Sequence, residues 1–387
     1  MRIVDTDHAP VPETLKRINM RRFLEELRSS GPLTRADLTR ITGVSAATSS
    51  KIIIHLEKLG LIEELESVSV TNGRPGKLFQ LSSARSYIVG VAVDVHLTRI
   101  CRAGVDGKVP TTTAMPTPAT YDALIQELAS RIKYEFPLST GKCLGVTVSL
   151  PGLVDAEKGQ SIHSRNLPIL NGRSVANDLS AEIGVPAYCV QENRGMATAE
   201  QLYGQARDLR DFIVIDVSEG IGSAAVLGGV QVTGFRGFAG EIGNSVFQTP
   251  ESGPDSFKSL EELASERSVV DAICRHLNQH LSFEEIERRV KNDALDVRDF
   301  VCPAAFYLAQ STASMIMQFD PEAVFVSGRM FDLSPRAFDY FKSRVEELVL
   351  PANLEGLQIL PTKVDKLQGA VASGLERVFS EVGPKLV

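Results

Sequence analysis

Apolar positions recur at helical spacing from the start of the chain: Leu15, Ile18, Phe23, Leu24 and Leu27 mark a first helix over 14–30, closed by Ser29-Ser30-Gly31-Pro32. Thr34-Arg35-Ala36-Asp37 has the form of a capping box with Asp in the Glu position. It predicts a short second helix through Leu38 and Ile41 that Gly43 ends. Ser45 caps a third helix in which Ser49, Ile52, Ile53 and Leu56 share one face, while Ala46, Ala47, Ser50, Lys51 and His55 fall on the other. After Gly60, residues 61–70 and 77–81 read as two short strands around Thr71-Asn72-Gly73-Arg74-Pro75-Gly76. Helix, tight turn, helix and a winged hairpin is the pattern of residues 1–85.

From residue 86 the period changes. Strands are predicted over 87–93, 98–105 and 107–113, then a helix over 121–136 and a strand over 143–150. Pro151-Gly152-Leu153-Val154-Asp155 reads as a turn, 174–183 as a helix, and another strand begins at 188–190. A second set opens with Phe212 to Asp216, passes Gly220-Ile221-Gly222, and reaches the hairpin turn Gly228-Gly229 and a glycine-rich stretch over 234–243. Two similar β-β-β-α halves predict an α/β body of two lobes around a cleft. Helices follow over 262–277, 283–290 and from 297 past 310. Met315 and Met317 continue an apolar face that reads as core, and the charged stretch 276–296 reads as a solvated helical surface.

Composition narrows the class. The chain has 387 residues, 43% hydrophobic and 23% charged, which excludes collagen-like, fully disordered and coiled-coil proteins and allows two or three domains. No apolar run is read as approaching the roughly 20 residues that cross a bilayer, and the N-terminus carries acids where a signal peptide carries bases, so a soluble, cytoplasmic protein without membrane contact is expected. Five scattered cysteines, Cys101, Cys143, Cys189, Cys274 and Cys302, without a C-x-x-C pair, fit small hydrophobes better than disulfides or a metal site.

Charge is uneven. Residues 1–85 hold 13 Lys/Arg against 10 Asp/Glu, a surplus of three in a chain whose net charge is -7. A mildly basic head on an acidic body suggests a nucleic-acid reader. Small residues and one lysine at the start of the third helix let a backbone approach base edges in a major groove, which points to Ala46, Ala47, Ser50 and Lys51. Arg74 at the wing tip suits a minor groove, and Arg35 a phosphate. A three-helix unit also serves for dimerisation or protein docking, so that alternative stays open.

Several motifs carry a resemblance. Gly145 to Asp155 (GVTVSLPGLVD), Gly237 to Gly243 (GFAGEIG), Leu260 to Ser265 (LEELAS) and the wing residues Gly73-Arg74-Pro75 resemble the ROK family (repressor, open reading frame, kinase) over nearly the whole chain. The resemblance implies a winged helix-turn-helix at 1–85 and a two-lobed actin/hexokinase-like ATPase fold at 86–387. The family divides into sugar kinases without the head and sugar-responsive regulators with it.

Against the family's kinase pattern this chain departs at each chemical position. D-x-G-G-T becomes Asp94-Val95-His96-Leu97-Thr98, G-T-G-x-G becomes Ser218-Glu219-Gly220-Ile221-Gly222, and the adenosine loop carries Ser327-Gly328-Arg329. The E-N-D motif, whose Asp is the family's proton acceptor, reads Glu192-Asn193-Arg194, and arginine cannot accept that proton. The zinc positions hold Asn244, Ser252, Pro254 and Ser259. Neither ATP, zinc nor another cofactor is expected. The resemblance places Asn166, Asn193, Arg194, Glu241, Asn244 and Glu261 at the sugar contacts. Arg194 there fits an anionic effector, a sugar acid or sugar phosphate. It fits equally a closed pocket in which Arg194 pairs with Glu192, Glu241 or Glu261, and a neutral sugar is a third possibility. The reading is a repressor of carbohydrate genes that binds a DNA operator as a homodimer or larger oligomer. Its alternatives are a sugar kinase with a fused DNA-binding head and a protein-binding regulator.

Overall fold

In the computed structural model, residues 12–65, 77–137, 141–249 and 256–384 are described. The head begins with α1 (Pro12–Ser30), a two-residue strand β1 (Leu33–Thr34), α2 (Arg35–Thr42) and α3 (Ala46–Leu59). Strands β2 (Ile62–Leu65) and β3 (Leu78–Leu81) complete a sheet in the order β1-β3-β2. Phe23, Leu24, Leu27, Leu38, Ile52, Ile53 and Leu56 are its buried core, as the periodicity assigns them, whereas Leu15 and Ile41, at helical spacing with that set, are exposed. The expected first wing strand is described only to Leu65. The wing tip with Arg74 lies outside the described residues, as do Ser252 and Pro254.

Strands β4 (Ser86–Ala92), β5 (Leu97–Gly104) and β6 (Thr111–Pro116), helix α4 (Tyr121–Glu135) and strand β7 (Lys142–Leu150) follow. The third strand was expected to start at Gly107. That glycine instead sits in the left-handed region (φ 78°) and donates to Gly104 O, so it belongs to the turn and the strand starts later. Leu153 to Asp155 is more than a turn: β8 (Leu153–Asp155) and β9 (Gln160–His163) form a hairpin. Helix α5 (Val175–Ile183) and strand β10 (Ala187–Gln191) come next.

The second half runs through α6 (Glu192–Leu202), β11 (Phe212–Val217), β12 (Ile221–Leu227), β13 (Val230–Gln231), β14 (Val246–Phe247), β15 (Lys258–Ser259), α7 (Leu260–Ala264) and α8 (Glu266–Leu277). It continues with α9 (Phe283–Lys291), α10 (Arg298–Phe319), β16 (Ala323–Ser327), α11 (Met330–Leu333), α12 (Pro335–Leu348), α13 (Pro351–Leu354), β17 (Gln358–Pro361) and α14 (Lys366–Val382). The single helix expected over 262–277 is broken at Ser265, whose extended backbone ends α7 and whose hydroxyl accepts from Ser268 N to cap α8.

The chain divides into two compact units. Residues 1–149, 174–190 and 370–387 form one; residues 150–173 and 191–369 form the other. Each is built on a five-stranded sheet, ordered β10-β7-β4-β5-β6 in the first and β13-β12-β11-β16-β17 in the second. In both, a three-stranded antiparallel meander is extended by a strand parallel to its first member: β4 with β7, and β11 with β16. The repeated topology is the actin/hexokinase-like duplication that the two β-β-β-α halves foretell.

Small residues let α14 lie close to the first sheet. A Cβ at Gly374 would stand 2.5 Å from Thr147 Oγ1, and one at Gly90 would stand 2.9 Å from Val371 Cγ2. In the second unit, α10 is 22 residues long and apolar enough by length and composition to cross a bilayer, contrary to the expectation that no run comes near this. Its Val301, Ala304, Ala305, Leu308, Ala309 and Ile316 are core residues packed with β11, β16 and α12. Helix α9 likewise departs from a purely solvated surface: it turns Phe283 and Ile286 into that core and its charges outward.

Candidate functional site

The head's helices are set by their ends. Thr34 Oγ1 accepts from Asp37 N at 3.1 Å, and Asp37 accepts in return from Thr34 N at 3.3 Å. The Thr34 hydroxyl and amide hold the Asp37 carboxyl below its ordinary range. Gly43 and Gly60 end α2 and α3 in left-handed conformations (φ 72° and 77°). Thr39 Oγ1 donates to Ser49 Oγ at 2.7 Å and ties the two helices together. Ala46, Ala47 and Lys51 are exposed at the start of α3 and Ser50 is half-buried. Exposed Arg35 donates to Ser50 Oγ at 3.1 Å, so the structure brings five of the six expected DNA-facing residues onto one surface. His55 is half-buried in a cleft of about 370 Å³ among α1, α3 and the end of α14.

Sequence reasoning passed over Arg21, the one cation among the described residues buried in the head's core. Its side chain is 1% exposed; Nε donates to Glu25 at 2.7 Å and Nη2 to Glu376 of α14 at 2.6 Å. Burial alone would push this guanidinium down, but Glu376 and Glu25 outweigh it and hold the group above its ordinary value. Arg17 donates to the carbonyls of Glu381 and Val382 at the end of α14. Helix α1 is therefore clamped to α14 by two cations, one of them buried.

The positions matching the kinase phosphate loops are occupied by the chain's own contacts. In the first unit, the Asp94 carboxylate accepts from Val95 N at 2.8 Å, and none of the residues 94–98 has a positive φ. In the second, Ser218 Oγ donates to Asp216 at 2.9 Å and accepts from Lys366 Nζ at 3.0 Å. Lys366 also lies 2.8 Å from Glu192 and 3.4 Å from Asp216, and Ser327 donates to Asp216. Arg329 spans Glu266 and Glu284 over the Phe283 ring, 4.2 Å from its centroid. The hydroxyl and the lysine that could meet a polyphosphate are thus committed to neighbouring carboxylates. At the former zinc positions, Ser259 caps α7 and Asn244 donates to Glu241 at 3.2 Å.

Four of the six expected effector residues form two hydrogen-bonded pairs within the second unit, and Asn193 and Arg194 bond to neither pair. Asn166 donates to Glu261 at 3.3 Å, and Glu261 also accepts from Ile221 N at 3.2 Å. Gly220 permits this approach, since a Cβ there would stand 2.6 Å from Glu261 and 2.8 Å from Asn166. Glu241 accepts from Asn244 and, at 2.8 Å, from Gln191, a residue that sequence reasoning did not single out. Burial pushes the Glu241 carboxyl up and the Glu261 charge adds to this, against the donors Gln191 and Asn244. Asn193 lies against Gly222, where a Cβ would overlap its amide nitrogen. Arg194 makes none of the ion pairs left open by the sequence, because Glu192, Glu241 and Glu261 have the partners just named. Its Nε and Nη2 are buried without hydrogen bonds, and desolvation holds the guanidinium below its ordinary value. A cavity of about 240 Å³ beside this loop, lined by Ser223, Gly240, Ile242, Ser311 and Met315 among others, includes none of the six.

Comparison with known proteins gives a consistent picture. The ROK family model matches residues 88–374. The xylose repressor of Bacillus subtilis (strain 168) is 22% identical over 372 residues, covering 94% of this chain and 95% of that protein. The DNA-binding transcriptional dual regulator NagC of Escherichia coli (strain K12) is 22% identical over 377 residues, covering 91% and 90%. Among solved structures, a ROK family transcriptional regulator described as a homolog of the E. coli MLC protein matches with a TM-score of 0.80 and 20% identity, over 95% of this chain and 98% of that one. A ROK family glucokinase from Streptomyces griseus, in complex with glucose and AMPPNP, matches with a TM-score of 0.64 and 17% identity, over 74% of this chain.

Proposed function

The chain belongs to the ROK family, and from that premise we propose that it is a sugar-responsive transcriptional repressor: residues 1–85 grip a DNA operator, and the body binds a small polyhydroxylated effector that changes this grip. The observation that carries the reading is the match to relatives named as a repressor and as transcriptional regulators over more than nine-tenths of the chain, head included, whereas the glucokinase structure covers about three-quarters of it. Exposed Arg35 and Lys51 supply phosphate contacts, and Ala46, Ala47 and Ser50 allow the start of α3 to enter a major groove. Arg74 extends the contact from the wing. Two copies on a two-fold operator would double the footprint, the arrangement in which symmetric operators are read.

We further propose that the chain transfers no phosphate. Arg194 stands where the family's proton acceptor would be, and it keeps its proton at any accessible pH. Ser218 and Lys366 are bonded to Asp216 and Glu192, so a nucleotide would have to break that set before it could bind. Effector recognition falls to Asn166, Asn193, Arg194, Glu241, Asn244 and Glu261, because amides and carboxylates match vicinal hydroxyls.

The test is binding of the full chain to fragments of its own upstream region, measured by fluorescence anisotropy across a salt series. Retention that weakens steeply with salt is expected, since each phosphate neutralised adds about 0.9 to the log–log slope. An absence of binding to any fragment at low salt would sink the DNA-binding assignment. Phosphotransfer from ATP to any sugar would sink the second part.

A further inference from the structure

Three residues at the junction of β10 and α6, Gln191, Asn193 and Arg194, hold a set of unmatched hydrogen-bonding atoms. Gln191 and Asn193 are each 3% exposed, and their Oε1 and Oδ1 atoms have no partner. Arg194 leaves Nε and Nη2 buried and unbonded, while its carbonyl is used by Gln231 and Thr198. Nε and Nη2 are the two donors of one guanidinium edge, the edge that takes a carboxylate or a phosphate side-on through parallel bonds. The third nitrogen, Nη1, faces Gly237, where a Cβ would stand 3.7 Å away. The acids that could have neutralised this edge are held by Lys366, by Gln191 and Asn244, and by Asn166 and Ile221 N.

A cation in this state is costly while the site is empty, because buried donors without partners lose their water and gain nothing. A neutral polyol would answer Gln191 and Asn193 with hydroxyls but leave the Arg194 edge uncompensated. We infer that the effector is a polyol bearing one anionic group, a carboxylate or a phosphate, which seats on the Nε–Nη2 edge of Arg194 while hydroxyls meet Gln191 Oε1 and Asn193 Oδ1. This rests on the effector-binding reading above and names the ligand's chemical class.

The experiment is calorimetric titration of the full chain with matched triplets of neutral sugar, uronic acid and sugar 6-phosphate in the gluco, galacto and manno series. At least one anion binds tighter than its neutral parent by about 10- to 100-fold, the range given by charge-assisted bonds. Arg194→Gln removes that advantage, so that the anion binds no tighter than its neutral parent, and Arg194→Lys, which keeps the charge but loses the fork, falls between. A preference for the uronate arm identifies a sugar acid, and one for the 6-phosphate arm a sugar phosphate. Melting of the two variants without ligand verifies that they fold. A neutral sugar that binds as tightly as both anions, with Arg194→Gln indifferent, overturns the inference and leaves the repressor reading standing. If none of the nine compounds binds, both this inference and the sugar-effector part of that reading fail, while operator binding is unaffected.

Discussion

Removing the Glu376 carboxylate should destabilise the first unit, because it strands a buried guanidinium. Arg21 is 1% exposed, its Nη1 already lacks a partner, and Nη2 is held by Glu376 at 2.6 Å. Breaking a buried ion pair typically costs about 3–5 kcal/mol. Two features reduce that here: Glu25 remains on Nε at 2.7 Å, and the Glu376 side chain is 32% exposed, so water can reach the vacated position. We therefore expect Glu376→Ala to destabilise the first unit by about 2–3 kcal/mol. The double variant Arg21→Met/Glu376→Leu should recover most of this, since an apolar pair of similar volume avoids the desolvation of both ions. The chain contains two units and need not melt in one step, so the assay is scanning calorimetry read on the transition that moves. Hydrogen exchange across α1 should accelerate in the single variant, because that helix is clamped through the same pair. A cost under about 0.5 kcal/mol, or a double variant no more stable than the single one, would refute the account of this clamp.

Three further outcomes follow from the second unit. Arg194→Leu should raise the melting temperature of the ligand-free chain, by about 1–2 kcal/mol of stability, because it removes buried donors that nothing satisfies; a lower melting temperature would show that the guanidinium has a structural partner. Gly222→Ala places a methyl group on the Asn193 amide, so it should abolish ligand-driven release from DNA while leaving ligand-free operator affinity unchanged, as read by anisotropy. Glu241 has a carboxyl raised by burial, so its proton contributes stability that is full below about pH 4.5 and is lost as pH rises through the raised folded-state value. Glu241→Gln should flatten that part of the stability–pH curve, and an unchanged slope would count against the assignment.

Local chemistry made the head legible. The Thr34–Asp37 box, the Ser45 cap and the glycines at 43 and 60 each act within four residues, so α2 and α3 were readable from the chain alone. Apolar runs likewise gave the strands of the first sheet and the opening strand of the second, whereas β13, β16 and β17 were not read from the chain. What escaped was either too short to carry a period, as with the two-residue β1, or depended on one backbone conformation, as at Ser265, where a serine within an apolar-periodic run caps a new helix. The site was harder. Family motifs located Asn193, Arg194 and Glu241, but Gln191 became visible only through its bond to Glu241, 50 positions away. Lys366, which closes the loop at Ser218 from 148 positions away, left one signal, a lone cation ahead of the small-residue run Gly369 to Gly374. That Arg194 lacks an acid partner could not be read from a sequence offering three candidates within 70 residues.

One titration addresses the central claim most directly: a labelled upstream DNA fragment held by the full chain, followed by anisotropy as sugars, uronates and sugar phosphates are added with and without ATP. The account predicts that one of these compounds weakens operator binding by about 5- to 150-fold, the span of an ordinary coupling energy, and that ATP neither alters the curve nor is consumed. Operator affinity unmoved by every compound, or turnover of ATP in the same cuvette, would contradict it.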